Sequence, residues 1–308
     1  MKRRFAVFFI ILALCGGLCG CAHAQSYRYT VPDTFDTLID IICYTSQDDA
    51  ETYGKQAEEM LDGWHRLCDA YRPWEGVVGV YTVNQKAGQW VEISKELQDL
   101  LTFGVEMYRQ TDGAVNVMGG AVTALWKDTE APPSESAIAS ALQHIDINAL
   151  EIENGRVRIA DPDARIDVGA FAKGYALQKT ADALRASGFK GLLSAVSSVV
   201  AVGDKNGEPF AVGLSDGVGG VAETVYLKDG EALSTSGTEQ RFFVYQEKKY
   251  HHITDLTTGY PADSGIAQVS VVHRDAGWAD AFSTAALITG ESDGTVWIRW
   301  EDKDDISQ

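Results

Sequence analysis

Apolar positions along the chain change period several times, and each change marks an element. From Glu51 to Tyr71 the residues Met60, Leu61, Trp64, Leu67, Cys68 and Tyr71 recur at intervals of three and four, which is one face of a helix. Leu97, Leu100, Leu101, Val105 and Tyr108 repeat the pattern, with Ser94 as its cap and Thr111-Asp112-Gly113 as its stop. Residues 151–160 read as a hairpin turning at Asn154-Gly155. A third helix is predicted from Lys173 to Ser187, closed by Gly188. Strand-like runs follow at 192–202, 209–214, 222–227, 241–246, 249–253 and 267–273. A last helix covers Ala276 to Thr289 with Gly290 behind it, and residues 295–300 form a closing strand. Residues 301–308 are an acidic tail. Pro132 and Pro133 mark a loop inside the domain, and no repeat or low-complexity linker divides the chain. The pattern predicts one α+β domain with room for two lobes.

The first 21 residues are set apart by their own pattern. Lys2, Arg3 and Arg4 precede an apolar run of 14 residues, Phe5 to Leu18. That is short of the roughly 20 needed to span a bilayer, so it reads as an export signal. Leu18-Cys19-Gly20-Cys21 resembles a bacterial lipobox, which makes residues 1–21 a lipoprotein signal and residues 22–308 a single exported domain. A lipidated Cys21 would hold that domain at a membrane, on the periplasmic face or at the cell surface. Ala22-His23-Ala24 offers a competing cleavage site. Beyond the signal, Cys43 and Cys68 remain, both in apolar surroundings that suit buried thiols, and no Cys–His metal spacing exists.

Charge narrows the function. The chain carries 26 Lys plus Arg against 44 Asp plus Glu, a net charge of −18. A general nucleic-acid binder needs a basic surface, so that class is excluded. An anionic ligand would need local neutralisation, from a metal ion or from a cluster of amides and Lys. No phosphate-loop motif, no Gly-x-Gly-x-x-Gly before a helix and no Gly-x-Ser-x-Gly elbow occurs.

Three segments carry candidate chemistry. In residues 165–178, Asp167 ends a short strand and Lys173 opens a helix, an arrangement that suits a phosphate. Residues 233–243 place small hydroxyl side chains and Gly237 before a strand. After residues 250–265 comes a helix on which Asp280 and Thr284, four apart, share a face with Ser283. A carboxylate with hydroxyls is a hard donor set that suits Mg²⁺, although a solvated polar helix face would look the same. Ala281, Ala285 and Ile288 form the opposite, apolar face.

Taken together and in order, IDVGAFAKGYA, STSGTEQRF, HITDLTTG and ADAFSTAA resemble the bacterial FAD:protein FMN transferases, the ApbE family. Residues 35–37, Asn84 and residues 111–126 fit the family's opening strand, its Ser/Asn loop and its flavin segment. The resemblance implies an α+β, T-fold-related domain with mixed or antiparallel sheets and packed helices. It implies an enzyme that takes FAD as substrate, requires Mg²⁺, moves FMN to a Thr or Ser hydroxyl of an exported target protein and releases AMP. By matching position, Asp280, Thr284, Ser283 and the Ala170 carbonyl would hold the metal, and Asp280 would be indispensable to catalysis. Asn116, Val117, Met118, Asp167, Lys173, Ser236, Gly237 and Thr238 would contact FAD, and His252 would be the acid/base. The chain departs from the pattern at Ser197-Ser198, where glycines are usual, at Leu256-Thr257, where Pro and a cation are usual, at Phe171, where a small aliphatic residue is usual, and at Asn116, where Asp is common. The alternatives are an FAD pyrophosphatase on the same site and a non-catalytic flavin-binding lipoprotein.

Overall fold

The structure, a computed structural model, describes residues 26–44, 46–217, 219–291 and 296–300. Residues 1–21, read above as an export signal, and the acidic tail lie outside the described residues. In chain order the elements are β1 (Tyr27–Thr34), β2 (Thr37–Cys43), α1 (Gln47–Cys68), α2 (Val80–Gln85), β3 (Val91–Glu92), α3 (Lys95–Gln110), α4 (Gly120–Trp126) and α5 (Glu135–Ala141). Then come β4 (Leu150–Glu153), β5 (Arg156–Ile159), α6 (Ala172–Ala186), β6 (Gly191–Ala195), β7 (Ser198–Val202), β8 (Phe210–Ser215) and β9 (Val221–Leu227). The last are β10 (Ala232–Gly237), β11 (Phe242–Tyr245), β12 (Lys248–His251), β13 (Thr254–Asp255), β14 (Tyr260–Pro261), β15 (Ile266–His273), α7 (Ala276–Thr289) and β16 (Val296–Trp300). The result is an α+β protein whose named strand pairs are antiparallel.

The chain divides into two compact units, each gathered from three segments. One comprises Met1–Asp62, Gly174–Ser234 and Val272–Ala279; the other comprises Gly63–Lys173, Thr235–Val271 and Asp280–Gln308.

In the first unit β1, β2, β6, β7 and β10 lie side by side. β7 is buried at all five positions, which its Val-rich sequence permits because no residue in it demands water. The run at 192–202, predicted as one strand, is in fact two. Val196-Ser197 forms a tight turn between β6 and β7, and Ala195 pairs Ser198. An apolar run without Gly, Pro or Asn hides such a turn from pattern reading. Helix α6 ends as expected, with Gly188 at φ +93°. Beside that end, the Tyr53 hydroxyl donates to the Ser187 carbonyl at 3.1 Å, and its ring meets Phe189 edge-on.

The second unit holds every predicted site residue. In α3 the Ser94 hydroxyl accepts from the Leu97 amide at 3.2 Å, and Leu97, Leu100 and Leu101 are fully buried. Asn154 and Gly155 both have positive φ and close the β4–β5 hairpin. Helix α1 stops at Cys68, three residues before the predicted end at Tyr71. Asp69 causes the stop: its carboxylate accepts from the Tyr71 and Arg72 amides, the Arg72 guanidinium and the Trp74 indole. Partial burial opposes ionisation, but these bonds hold the Asp69 carboxyl below the usual carboxylate range.

A small core of Ile253, Ala262, Ile266, Val269, Val271, Ala286 and Leu287 ties α7 to β15 in this unit. Leu287 and Val269 are fully buried, each worth roughly 1.5–3 kcal/mol relative to exposure. Cys43 and Cys68 are both buried, as expected. Among the described residues no helix is long and apolar enough to cross a membrane.

Candidate active site

Asp167 is the first node. Its amide donates to the Val117 carbonyl at 2.8 Å. One carboxylate oxygen accepts from Gly169 N at 2.7 Å; the other accepts from the Thr123 hydroxyl at 2.7 Å and the Tyr71 hydroxyl at 2.8 Å. The segment before Asp167 is held by Asn84, whose amide group both accepts from Ile166 N and donates to Ile166 O, replacing a strand partner. Asn84 lies on helix α2, buried, rather than in a loop. Tyr71 and Thr123 were missed by sequence reading, which had Tyr71 on a helix face. The Arg72-Pro73 step argued for an earlier helix end and was the available signal. Burial and the Asp167 charge push the Tyr71 phenol up, so it remains a donor, and Lys127 Nζ sits 4.3 Å from its ring centroid. A cavity of about 230 Å³ opens beside Tyr71, lined also by Tyr81, Asn84, Gln85, Gly120 and Arg165.

The second node is a cluster of oxygens. The Thr284 hydroxyl lies 3.2 Å from the Ala170 carbonyl and 3.1 Å from the Ser236 hydroxyl. Ser236 is 2.8 Å from the Ser283 hydroxyl, which donates to the Asp280 carbonyl at 3.0 Å. Three chain segments thus meet: the start of α6, the end of β10 and one face of α7. That face is not the solvated surface a polar stripe usually forms, because Asp280 is 4% exposed and Ser283 is buried completely. Ser236 sits inside strand β10, not in a segment before a strand. One carboxylate, three hydroxyls and one carbonyl make a hard donor set able to hold a divalent cation.

The third node is His252. The chain offers two adjacent histidines, and the structure separates them. His251 is buried, its Nε2 bonds the Ala262 carbonyl at 2.9 Å, and its Nδ1 accepts from Ile253 N. That ring is committed to structure. His252 is exposed, with Nδ1 3.2 Å from the Arg241 carbonyl. A carbonyl only accepts, so Nδ1 carries the proton and Nε2 keeps the lone pair. Crowding by protein atoms, then the charges of Arg241, His251 and Lys173, push its pKa down to about 4. The imidazole is therefore neutral at pH 7. Lys173, half-buried at the second position of α6, belongs to the same electrostatic neighbourhood.

The remaining predicted residues bond to the surrounding chain or pack in the core. Asn116 donates to the Ile145 carbonyl and accepts from Met118 N, which curls residues 116–118 into a turn. Val117 and Met118 are fully buried, so their side chains belong to the core, and the Val117 carbonyl accepts from the Asp167 amide. Gly237 lies against the Ala267 carbonyl, and Thr238 bonds the same carbonyl through its amide and Lys249 through its hydroxyl. Two departures from the family pattern are accommodated locally. Phe171 is fully buried beside Gly104, where an added Cβ would lie 3.0 Å from the Phe ring and 2.3 Å from Val117. Leu256 presses on Gly119, within 2.6 Å of where a Cβ would stand. In the first unit, the Ser198 hydroxyl accepts from Ser234 at 2.9 Å inside the sheet. A separate trio, His144, Asp161 and Asp163, has ligand atoms within 4.8 Å of one another. His144 and Asp161 already bond each other at 2.7 Å, which holds the Asp161 carboxyl below its usual range.

The fold is α+β, and these three nodes gather a bonded carboxylate, a buried cluster of hard oxygens and an exposed imidazole in the unit that holds them. The chain belongs to the ApbE family, whose model matches residues 35–307. It is 30% identical to an FAD:protein FMN transferase of Rhodobacter capsulatus, over 94% of this chain, and spans 58% of the length of that relative. It is 27% identical to the FAD:protein FMN transferase of Treponema pallidum, over 94% of this chain and 86% of that protein. Among solved structures it is similar to the ApbE protein of Thermotoga maritima, with a TM-score of 0.79 and 30% identity over 86% of this chain and 87% of that one. The flavin transferase ApbE of Vibrio cholerae shares the fold, with a TM-score of 0.74 at 20% identity over 86% of this chain and 87% of that one.

Proposed function

We propose that this chain transfers the FMN moiety of FAD to a Thr or Ser hydroxyl of an exported protein. The acceptor oxygen forms a bond to the FMN phosphorus, the pyrophosphate bridge breaks, and AMP leaves with the bridging oxygen. His252 Nε2 receives the hydroxyl proton, a role its fixed tautomer and neutral state suit. Lys173 places a positive charge near that imidazole and offsets phosphate charge where the acidic chain as a whole would repel it. Tyr71 and Thr123 orient Asp167 toward the ligand.

The observation that carries the reading is the meeting of Ala170, Ser236, Ser283 and Thr284 oxygens around the buried face that bears Asp280. These residues fit Mg²⁺, and Asp280, Thr284, Ser283 and the Ala170 carbonyl would hold it. When bound, Mg²⁺ neutralises charge on the pyrophosphate and on the departing AMP. The names of the relatives support the same activity. The lipobox at Cys21 supports an exported, membrane-anchored enzyme.

The test is incubation with FAD, Mg²⁺ and an acceptor domain produced without flavin. Covalent flavin fluorescence on the denatured acceptor, with one AMP released per label, is the expected result. Free FMN and AMP without label would mean that water is the acceptor. Intact bound FAD would mean a binding protein.

A further inference from the structure

The hairpin β11–β12 leads directly into His252, and it carries a run of exposed apolar side chains. Phe242 is 50% exposed, Val244 61% and Tyr245 39%. On the other face Phe243 and Tyr250 stack at 5.2 Å and pack toward Trp126, which fixes the hairpin from behind. Phe242, Val244 and Lys249 share the open face, because Val244 pairs Lys249 across the ladder. Lys249 reaches from there to the Thr238 hydroxyl at 3.2 Å and lies over the Phe242 ring at 5.0 Å. Lys249 thus links the open face to Thr238.

The main chain is open as well. β11 and β12 form a two-stranded sheet, so among the described residues each has one paired edge and one outer edge. His252 N–H bonds the Arg241 carbonyl, which makes Arg241 and His252 a hydrogen-bonded pair. Antiparallel pairs alternate, so Phe243 with Tyr250 and Tyr245 with Lys248 bond in the same way. The N–H and C=O groups of Phe242 and Val244 then point away from β12. An apolar edge of this kind invites an added strand, and proteins usually blunt it. Charge indicates what is added. From Arg241 to His252 the hairpin carries Arg241, Lys248 and Lys249 against Glu247 alone, in a chain whose net charge is −18.

We propose that the outer edge of β11 docks the acceptor polypeptide as an extended segment, with acidic residues flanking its hydroxyl. Main-chain bonds to Phe242 and Val244 give the affinity; Lys249 on the open face and Lys248 on the opposite face, over the Tyr250 ring, select charge on the two sides of the added strand. Docking there brings the hydroxyl along the strand toward His252. The inference deepens the transferase reading and rests on it.

Val244→Pro removes an outward N–H while leaving the ladder to β12 intact, and Val244→Ala keeps that N–H. With the flavin-free acceptor domain, Val244→Pro is expected to raise the acceptor KM about tenfold or more, against less than about threefold for Val244→Ala. Lys248→Glu is expected to raise it several-fold at low salt, with most of the difference gone at about 0.5 M NaCl. The FAD Kd should stay within about twofold of wild type in all three variants. An unchanged acceptor KM in Val244→Pro and Lys248→Glu overturns the proposal, as does a parallel loss of FAD affinity. If the wild type labels no acceptor, the transferase reading fails by itself. The edge is then judged by titrating the acceptor domain onto FAD-loaded wild type and Val244→Pro, where equal Kd values overturn it.

Discussion

Two neighbouring histidines differ in almost everything that matters for proton transfer. His251 spends both ring nitrogens on backbone groups, and His252 spends one. The place of His252 in a motif was legible in the sequence, but its tautomer was not, because the Arg241 carbonyl that sets it lies 11 residues away across a hairpin. The same holds for Phe171. Its bulk looked like a departure from a pattern, and the room for it comes from Gly104, on a helix 67 residues earlier. A pKa lowered to about 4 makes a definite prediction for transfer. His252 stays neutral as pH falls from 7, so the acid limb of kcat/KM for the acceptor should lie near 4 and not near 6.5. The sign for stability follows. Between pH 6.5 and 4 the unfolded chain takes up the proton first, so the contribution of this group is complete above 6.5 and shrinks as pH falls toward 4. His252→Ala should lower kcat by about 10²-fold or more while the FAD Kd changes little, and the limb near 4 should vanish. A limb that persists in the variant would assign the proton to another group.

Elements were legible where turn chemistry announced them. Ser94, Asn154-Gly155, Gly188 and Gly290 bounded their helices and hairpin as read. Where the turn residues were unremarkable, boundaries slipped. Val196-Ser197 was read through as strand, and the β11–β12 turn falls at Gln246-Glu247, one residue earlier than the strand-like runs placed it. Both Gln246 and Glu247 hold positive φ, 49° and 65°, which is the type I′ geometry that Asn-Gly adopts easily. Side chains with a Cβ are strained there by about 1–2 kcal/mol each. Gln246→Asn with Glu247→Gly should therefore stabilise this hairpin by about 1–3 kcal/mol. Hydrogen exchange reads the effect directly: the Tyr245 and Lys248 amides should gain about five- to a hundredfold protection. Global stability is the poorer measure, since a surface hairpin opens locally. Slower exchange throughout the protein, or none in the hairpin, would count against strain at this turn.

For the whole molecule the deciding quantity is charge. Residues 1–21 hold three of the 26 basic residues and none of the 44 acidic ones, so residues 22–308 alone are near −21, more acidic than the full chain. An anionic dinucleotide approaches such a protein against its field, and at about 0.1 M salt that field still reaches about 10 Å. Under the proposed function, binding would then depend on what is local: Lys173, the start of α6 and a cation at Asp280. Composition made the difficulty legible. The solution was only partly so, because the depth of Asp280 and the three hydroxyls around it come from segments that meet in space alone. Two dependences should separate the contributions. Without Mg²⁺, adding NaCl should tighten FAD binding by screening repulsion, the reverse of a protein that binds phosphates through a basic surface. With Mg²⁺ the affinity should rise in the wild type by about tenfold or more, and this gain should be lost in Asp280→Asn, which keeps shape and removes the charge. Turnover should fall with it, while FAD binding without Mg²⁺ remains as in the wild type. Calorimetric titration of FAD across salt, with and without Mg²⁺, measures all of these. An Asp280→Asn variant that kept the full Mg²⁺-dependent gain would move the cation elsewhere, with His144, Asp161 and Asp163 the next group to test.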